Sequence, residues 1–184
     1  MKQEIDDKLV ELIQQATQKA LSKLFQEYKE TFYYCSLITS GEGLCPVISA
    51  WSKEALERVA SKEEDVEEAK YYLKWSYAES PYFAYGEEYF GEVNRVFGER
   101  MRKLTTDKER DREVRLRINS MERVMYNLDK KGLFGLGEKR LGIVINAEFM
   151  PPDFTNTERA VRLNPQEALE EWLEEAAEEM WDKD

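Results

Sequence analysis

The 184-residue chain has no histidine. This excludes every catalytic scheme with an imidazole base and removes the commonest zinc ligand. Cysteine is scarce too, with Cys35 and Cys45 alone, both in apolar, strand-like runs. If Ser40 to Gly43 turns between those runs, Cys45 faces Ile38 rather than Cys35. A disulfide needs its Cα atoms within about 7 Å, so both residues read as buried reduced thiols. That points to a cytoplasmic protein. Positive charge is in deficit: 27 Lys and Arg stand against 38 Asp and Glu, for a net charge of −11. Nucleic acid is an unsuitable partner for such a chain, because phosphate binding needs a basic face. No apolar run approaches the ~20 residues of a membrane helix, so no membrane partner is expected. The opening MKQEIDDKLVELIQQ is amphipathic and acidic, unlike a signal peptide. Neither an internal repeat nor a low-complexity linker interrupts the chain, which reads as one domain over residues 1–184.

What is present is an alternation of helical and strand-like texture. Residues 4 to 29 carry Ile5, Leu9, Ala16, Ala20, Leu24 and Tyr28 at helical spacing. Thr31–Ser40 and Leu44–Trp51 are rich in β-branched and aromatic residues, with SGEG between them, and predict an antiparallel hairpin. Pro46 makes the second strand an edge or a bulged one. A short helix is expected over Ser52–Ala60. Ser61 and Glu64 form a capping-box pattern for another, with Val66, Ala69, Leu73 and Trp75 inward. Helical spacing returns from Glu87 to Leu104, and Thr105-Thr106-Asp107 breaks it. Val114, Ile118, Met121, Met125 and Leu128 then form one apolar stripe on a basic helix. Arg140–Phe149 reads as a strand, and PPDFTNTERAVRL as a loop passing into a short extended segment. Asn164-Pro165-Gln166-Glu167 opens a last helix with Asn164 as N-cap, burying Leu169, Trp172, Leu173, Ala176 and Met180. The predicted fold is α+β: a small, mainly antiparallel sheet packed by helices, with long helices at both chain ends.

The stretch KKGLFGLGEKR, Lys130 to Arg140, superficially suggests a phosphate cradle. A phosphate loop needs a strand before it and a helix after it, so that free helix N–H groups meet the anion. Here a helix precedes and a strand follows, presenting the helix's negative end. A Schellman cap fits better: Gly132 at C′ with positive φ, Leu128 at C3 and Leu133 at C″. Phe134 and Leu136 would then pin the loop to the core.

The segments FYYCSLITSGEGLCPVISAWSKEAL, KWSYAESPY, LDKKGLFGLGEKRLGIVI and PPDFTNTERAVRLNP together resemble an uncharacterised bacterial family of domains of unknown function, of the DUF4303 type, over roughly residues 10 to 175. The element D-x-x-G-x-F-G-x-G-x-x-R falls on Asp129, Gly132, Phe134, Gly135, Gly137 and Arg140. The resemblance implies a cytoplasmic bacterial α+β protein. Some such families lie beside toxin–immunity genes, which implies a binding role, and it carries over no catalytic residue.

Two function classes follow. The first is a non-catalytic binding protein, in the immunity-inhibitor manner, meeting a basic toxin. From Glu167 to Asp184 there are nine acidic residues and one lysine. Glu170, Glu171, Glu174, Glu175 and Glu178 would face the partner, with Trp181 as an apolar anchor. The second class is an enzyme or ligand-binding domain with a pocket at Trp75, Tyr77, Tyr82, Tyr85 and Arg140. A homodimer is the alternative partner, and Arg110, Arg112, Arg115 and Arg117 would pair with the acidic last helix of the same chain or a second copy. No metal or cofactor is expected: the carboxylates at 107, 109, 111 and 113 do not converge on a helix. Neither cysteine opens a helix or has an activating base, so no catalytic residue is assigned.

Overall fold

In the computed structural model, which describes residues 4–179, the first element starts at a strong N-cap. Asp6 accepts the backbone N–H groups of Lys8 and Leu9 and begins helix α1, Asp7–Glu27. Strand β1, Phe32–Ser40, turns into β2, Val47–Ser52. The strand starts after Pro46, whose missing donor therefore never enters the ladder. Cys45 lies outside the ladder, and Ile38 pairs with Val47 instead. Ser52 then caps α2, Lys53–Ala60, through Ala55 N. The next helix, α3, spans Val66–Leu73, and its cap is Asp65 rather than Ser61. Ser61 instead closes α2.

After a 3-10 turn at Glu87–Phe90 come α4, Gly91–Met101, and α5, Asp107–Lys130. Thr106 and Glu109 form a reciprocal capping box at the start of α5. Its end is the Schellman cap the glycine stretch predicts. Gly132 has φ +77°, Leu133 N donates to Leu128 O at 3.1 Å, and Gly132 N to Asp129 O at 2.8 Å. Phe134 is buried there, whereas Leu136 is exposed rather than pinned. The chain then makes a one-turn helix, α6, Glu138–Leu141, where a strand was expected, and β3 is confined to Val144–Met150. The expected loop after it is helix α7, Phe154–Leu163, capped by Asp153. The last helix, α8, covers only Gln166–Glu175. The long helices are thus α1 and α5, and the C-terminal helix is short.

The sheet order is β2-β1-β3. β1 pairs antiparallel with β2 and parallel with β3, so the sheet is mixed rather than mainly antiparallel. The parallel pair arises because five helices and about 90 residues separate β2 from β3, enough for a crossover. One sheet face carries Cys35, Leu37, Ile48, Ala50, Ile145 and Ala147, all buried, as expected of a face packed by the α1–α5 pair.

The outer edge of β3 is covered by side chains. Asn164 Oδ1 accepts Ile145 N at 2.9 Å, and its Nδ2 donates to Ile145 O at 2.7 Å. Asn156 does the same for Phe149, at 2.8 and 3.0 Å. Arg159 Nε donates to Ala147 O at 2.5 Å. An open edge would present these groups to another chain, and α7 closes it. This engagement is why Asn164 does not cap α8, whose N-cap residue is Pro165.

Candidate functional site

The opposite face of the sheet carries the polar side chains of the strands, set among buried Tyr34, Ile38, Trp51 and Val144. Ser36 pairs with Ser49 on one side and Asn146 on the other, and Ile38 pairs with Glu148. Side chains alternate across a strand, so Tyr34, Ser36, Ser49, Trp51, Asn146 and Glu148 share this face. A register shift between Phe32 and Tyr34 puts an extra residue, Tyr33, into β1. Tyr33 and its neighbour Tyr34 both reach one aromatic ring: Trp75 lies 5.3 Å from Tyr33 and 6.0 Å from Tyr34, each edge to face.

Three hydrogen bonds fasten the segment Lys74–Tyr77 over the polar face. Tyr33 OH donates to Lys74 O at 2.6 Å, Trp51 Nε1 to Ser76 O at 2.6 Å, and Ser49 Oγ to Tyr77 O at 2.8 Å. The segment, α7 and α8 leave a cleft of about 320 Å³ between them. Tyr34, Trp75, Tyr77 and Trp172 wall it, with Tyr71 and Tyr72 at its mouth and Glu148 at its floor.

Glu148 is the chemical centre of this cleft. It is 5% exposed. Its Oε1 accepts Tyr34 OH at 2.8 Å and Asn146 Nδ2 at 3.0 Å. Both bonds fall on one oxygen, and Oε2 receives none from the described residues. Burial raises the Glu148 pKa above the ordinary carboxylate value, against the opposing pull of Tyr34, Asn146, Ser36 and the Arg159 charge. Burial, and then the Glu148 charge, raises the Tyr34 hydroxyl as well. Ser36, 2% exposed, stands close enough to both to favour the ionised carboxyl, yet its Oγ makes no hydrogen bond of normal geometry.

The acidic residues expected on α8 divide. Glu171 and Glu175 both bind Lys74, at 2.5 and 2.6 Å, and Glu175 Oε2 accepts Trp75 Nε1 at 2.7 Å. The Lys74 hydrogen bond holds Glu175 below the ordinary carboxylate value. Glu178 lines the cleft, and its carbonyl accepts Thr157 Oγ1 at 2.9 Å. Glu170 and Glu174 are exposed and make no ion pair with a described residue. Trp172 and Leu169 are buried as expected, but Leu173 is 38% exposed because it lies on the outward face. Trp181 and Met180 lie outside the described residues.

Of the expected pocket residues, Trp75 and Tyr77 do line one cleft. Tyr82 is buried elsewhere, its hydroxyl donating to Glu30 at 2.6 Å and accepting from Arg58 at 3.0 Å. Tyr85 hydrogen-bonds Glu27. Arg140 is buried and fully engaged: it pairs with Asp129 and donates to Ile143 O, Leu163 O and Asn164 Oδ1. It ties the helix before the glycine stretch to the strand after it, and no ligand can use it without breaking that tie. The arginine cluster does not meet α8. Arg110 pairs with Asp107 and Arg112 with Glu4, while buried Arg117 binds Glu113, Gly43 O and Phe97 O. Sequence reasoning missed Glu148, Tyr34, Ser36 and Asn146. Their signal was the period-two recurrence of polar residues inside apolar strands, in INAEF above all.

Among the described residues no group of three or more acidic or cysteine side chains is placed to hold a metal. Among the described residues no helix is long and apolar enough to cross a membrane. Fold and site together define a class: a small α+β domain whose mixed three-stranded sheet has one apolar face and one polar face, with a carboxyl at the floor of an aromatic cleft. The chain belongs to the family described as Domain of unknown function (DUF4303), which matches residues 13–165. No curated protein matches it. No solved structure matches it either.

Proposed function

We propose that this protein binds a small molecule in the cleft above Glu148. The observation that carries the reading is the carboxyl itself. A buried, one-sidedly hydrogen-bonded carboxyl is costly to a fold, and such groups cluster at functional sites. Here it sits at the floor of a cleft with aromatic walls. The arrangement matches that of ligand sites, which are mostly apolar with a few convergent polar groups. The free thiols of Cys35 and Cys45 support a reducing, cytoplasmic setting. The test is a thermal-shift screen of small fragments against the wild type and Glu148→Gln. Fragments that raise the melting temperature of the wild type but not of the variant are expected. Fragments that stabilise both equally would place binding elsewhere.

A second reading, an immunity-type inhibitor of a basic toxin, is favoured by one observation. Glu170 and Glu174 project from α8 without ion-pair partners among the described residues, on a chain of net charge −11. A basic protein partner would then associate at a rate that falls steeply with salt. Reversing both charges, Glu170→Lys with Glu174→Lys, should slow association with little loss of stability, since both are exposed. Association indifferent to salt and to these substitutions would dismiss that surface.

A further inference from the structure

The cleft has a charge signature that narrows what it can take. Among the described residues lining it there are three glutamates, Glu148, Glu175 and Glu178, and no lysine or arginine. The nearest cations are occupied. Lys74 is held by Glu171 and Glu175. Arg159 is turned to Ala147 O and Asn156 Oδ1 at the edge of β3. The only charged groups an anion would meet among the described lining residues are carboxylates. A cation would meet aromatic faces on several sides, the geometry in which ring quadrupoles attract positive charge. Trp75 already shows this preference, with Lys74 Nζ 5.3 Å from its ring centre.

The floor adds directionality. Glu148 lines the cleft, and its Oε2 receives no hydrogen bond of normal geometry from a described residue. A quaternary ammonium has no hydrogen to give this oxygen, whereas an N–H group does. The cleft volume, about 320 Å³, stands at the small end of ligand sites.

Resting on the small-molecule reading above, we infer that the ligand is a small organic cation carrying at least one N–H, of the amine or guanidine class, whose head meets Glu148 Oε2 while its body lies against Trp75, Tyr77 and Trp172. Glu148 faces Tyr34 from β1, Asn146 along β3, Arg159 from α7, Tyr77 from the covering segment, and Glu175 from α8. In the empty cleft burial favours its protonated form. A bound cation favours the carboxylate, so the proton leaves to solvent as the cation enters. Affinity should therefore rise with pH until Glu148 is ionised in the free protein.

The test is isothermal titration calorimetry with six probes of matched size: phenethylamine, putrescine and agmatine, against phenethyl alcohol, 1,4-butanediol and phenylacetate. The expected result is that at least one of the cations binds, with its neutral or anionic counterpart weaker by tenfold or more. Titrations in two buffers of different ionisation heat should show proton release on binding, which fades as the pH is raised. Glu148→Gln should weaken the cation tenfold or more. Should that variant misfold, Trp75→Phe, which keeps the ring stacking and loses the Glu175 contact, should weaken it severalfold. Neutral or anionic probes binding as tightly as the amines would overturn the cation inference and leave the cleft a ligand site. So would cation binding unchanged in a folded Glu148→Gln. No binding by any of the six would also overturn it, while fragments answering to Glu148 in the thermal screen would still sustain the wider reading.

Discussion

At the scale of single residues, environment decides which groups are available for chemistry. Glu148 has a folded pKa above its unfolded one. Its stabilising contribution is therefore full below the unfolded value, about 4.3, and is lost as pH rises through the folded value. Glutamine has no such titration. The stability of Glu148→Gln relative to wild type should grow between pH 5 and pH 8, measured by urea denaturation at both. A difference that stays flat, or a variant less stable at pH 8, would mean that the carboxyl is needed structurally by Tyr34 and Asn146. The thiols make the opposite case, groups kept from reacting. Burial pushes Cys45 up to about 11 and Cys35 further still. At neutral pH both should label slowly with a thiol reagent in the native state and rapidly in denaturant. Labelling of Cys45 alone should quicken as the pH climbs toward 10, since Cys45 is half-buried and Cys35 fully buried. Fast labelling of either at pH 7 would restore a nucleophilic role.

At the scale of elements, α7 and α8 show how much side-chain bonding can replace sheet pairing. Asn156, Arg159 and Asn164 serve alternate residues of β3 from one helix face. Asn164→Ala would leave the Ile145 N–H and C=O unpaired at a buried position. A loss of about 1–3 kcal/mol per orphaned group is expected from chemical denaturation. A loss under about 0.5 kcal/mol, the scale of an ordinary surface substitution, would show that water replaces the side chain. The strength of the caps explains which elements were legible in the sequence. The Ser52, Thr106 and Gly132 signals are local, and each placed its helix end correctly. Helix α7 was not legible, because Thr155, Asn156, Thr157 and Val161 are modest helix formers behind two prolines. What stabilises it is tertiary: its polar face answers the β3 edge, and its neighbour α8 buries Leu169 and Trp172, each worth about 1.5–3 kcal/mol. Strand β3 was overextended at its start for a similar reason. Arg140 is drawn into a turn of helix by Asp129, eleven residues earlier, and no local propensity records that partnership.

At the scale of the whole molecule, the crossover decides the function-bearing geometry. A hairpin is a local event, and its two strands were plain in the sequence. The parallel docking of β3 joins residues more than 100 positions apart, and it is this docking that brings Glu148 beneath Tyr34. The α+β class was therefore readable, while the polar face of the sheet was not, since Ser36, Ser49 and Asn146 meet only in three dimensions. Two of the four anticipated aromatic residues, Trp75 and Tyr77, do line the cleft, because aromatic residues cluster there in the chain. Tyr82 and Tyr85 follow in the same run, yet they turn away to Glu30 and Glu27. The acidic surface was legible in composition, but two of its glutamates, Glu171 and Glu175, brace Lys74 and Trp75 at the cleft. The central claim is that the Glu148 carboxyl faces a ligand, and the most direct measurement is a carbon-13 NMR titration of the glutamate side-chain carboxyls, with and without phenethylamine. One resonance, identified by its absence in Glu148→Gln, should titrate above the ordinary glutamate value in the free protein and shift downward when the amine is saturating. A Glu148 resonance that titrates in the ordinary range, or keeps its raised value under saturating amine, would contradict the account.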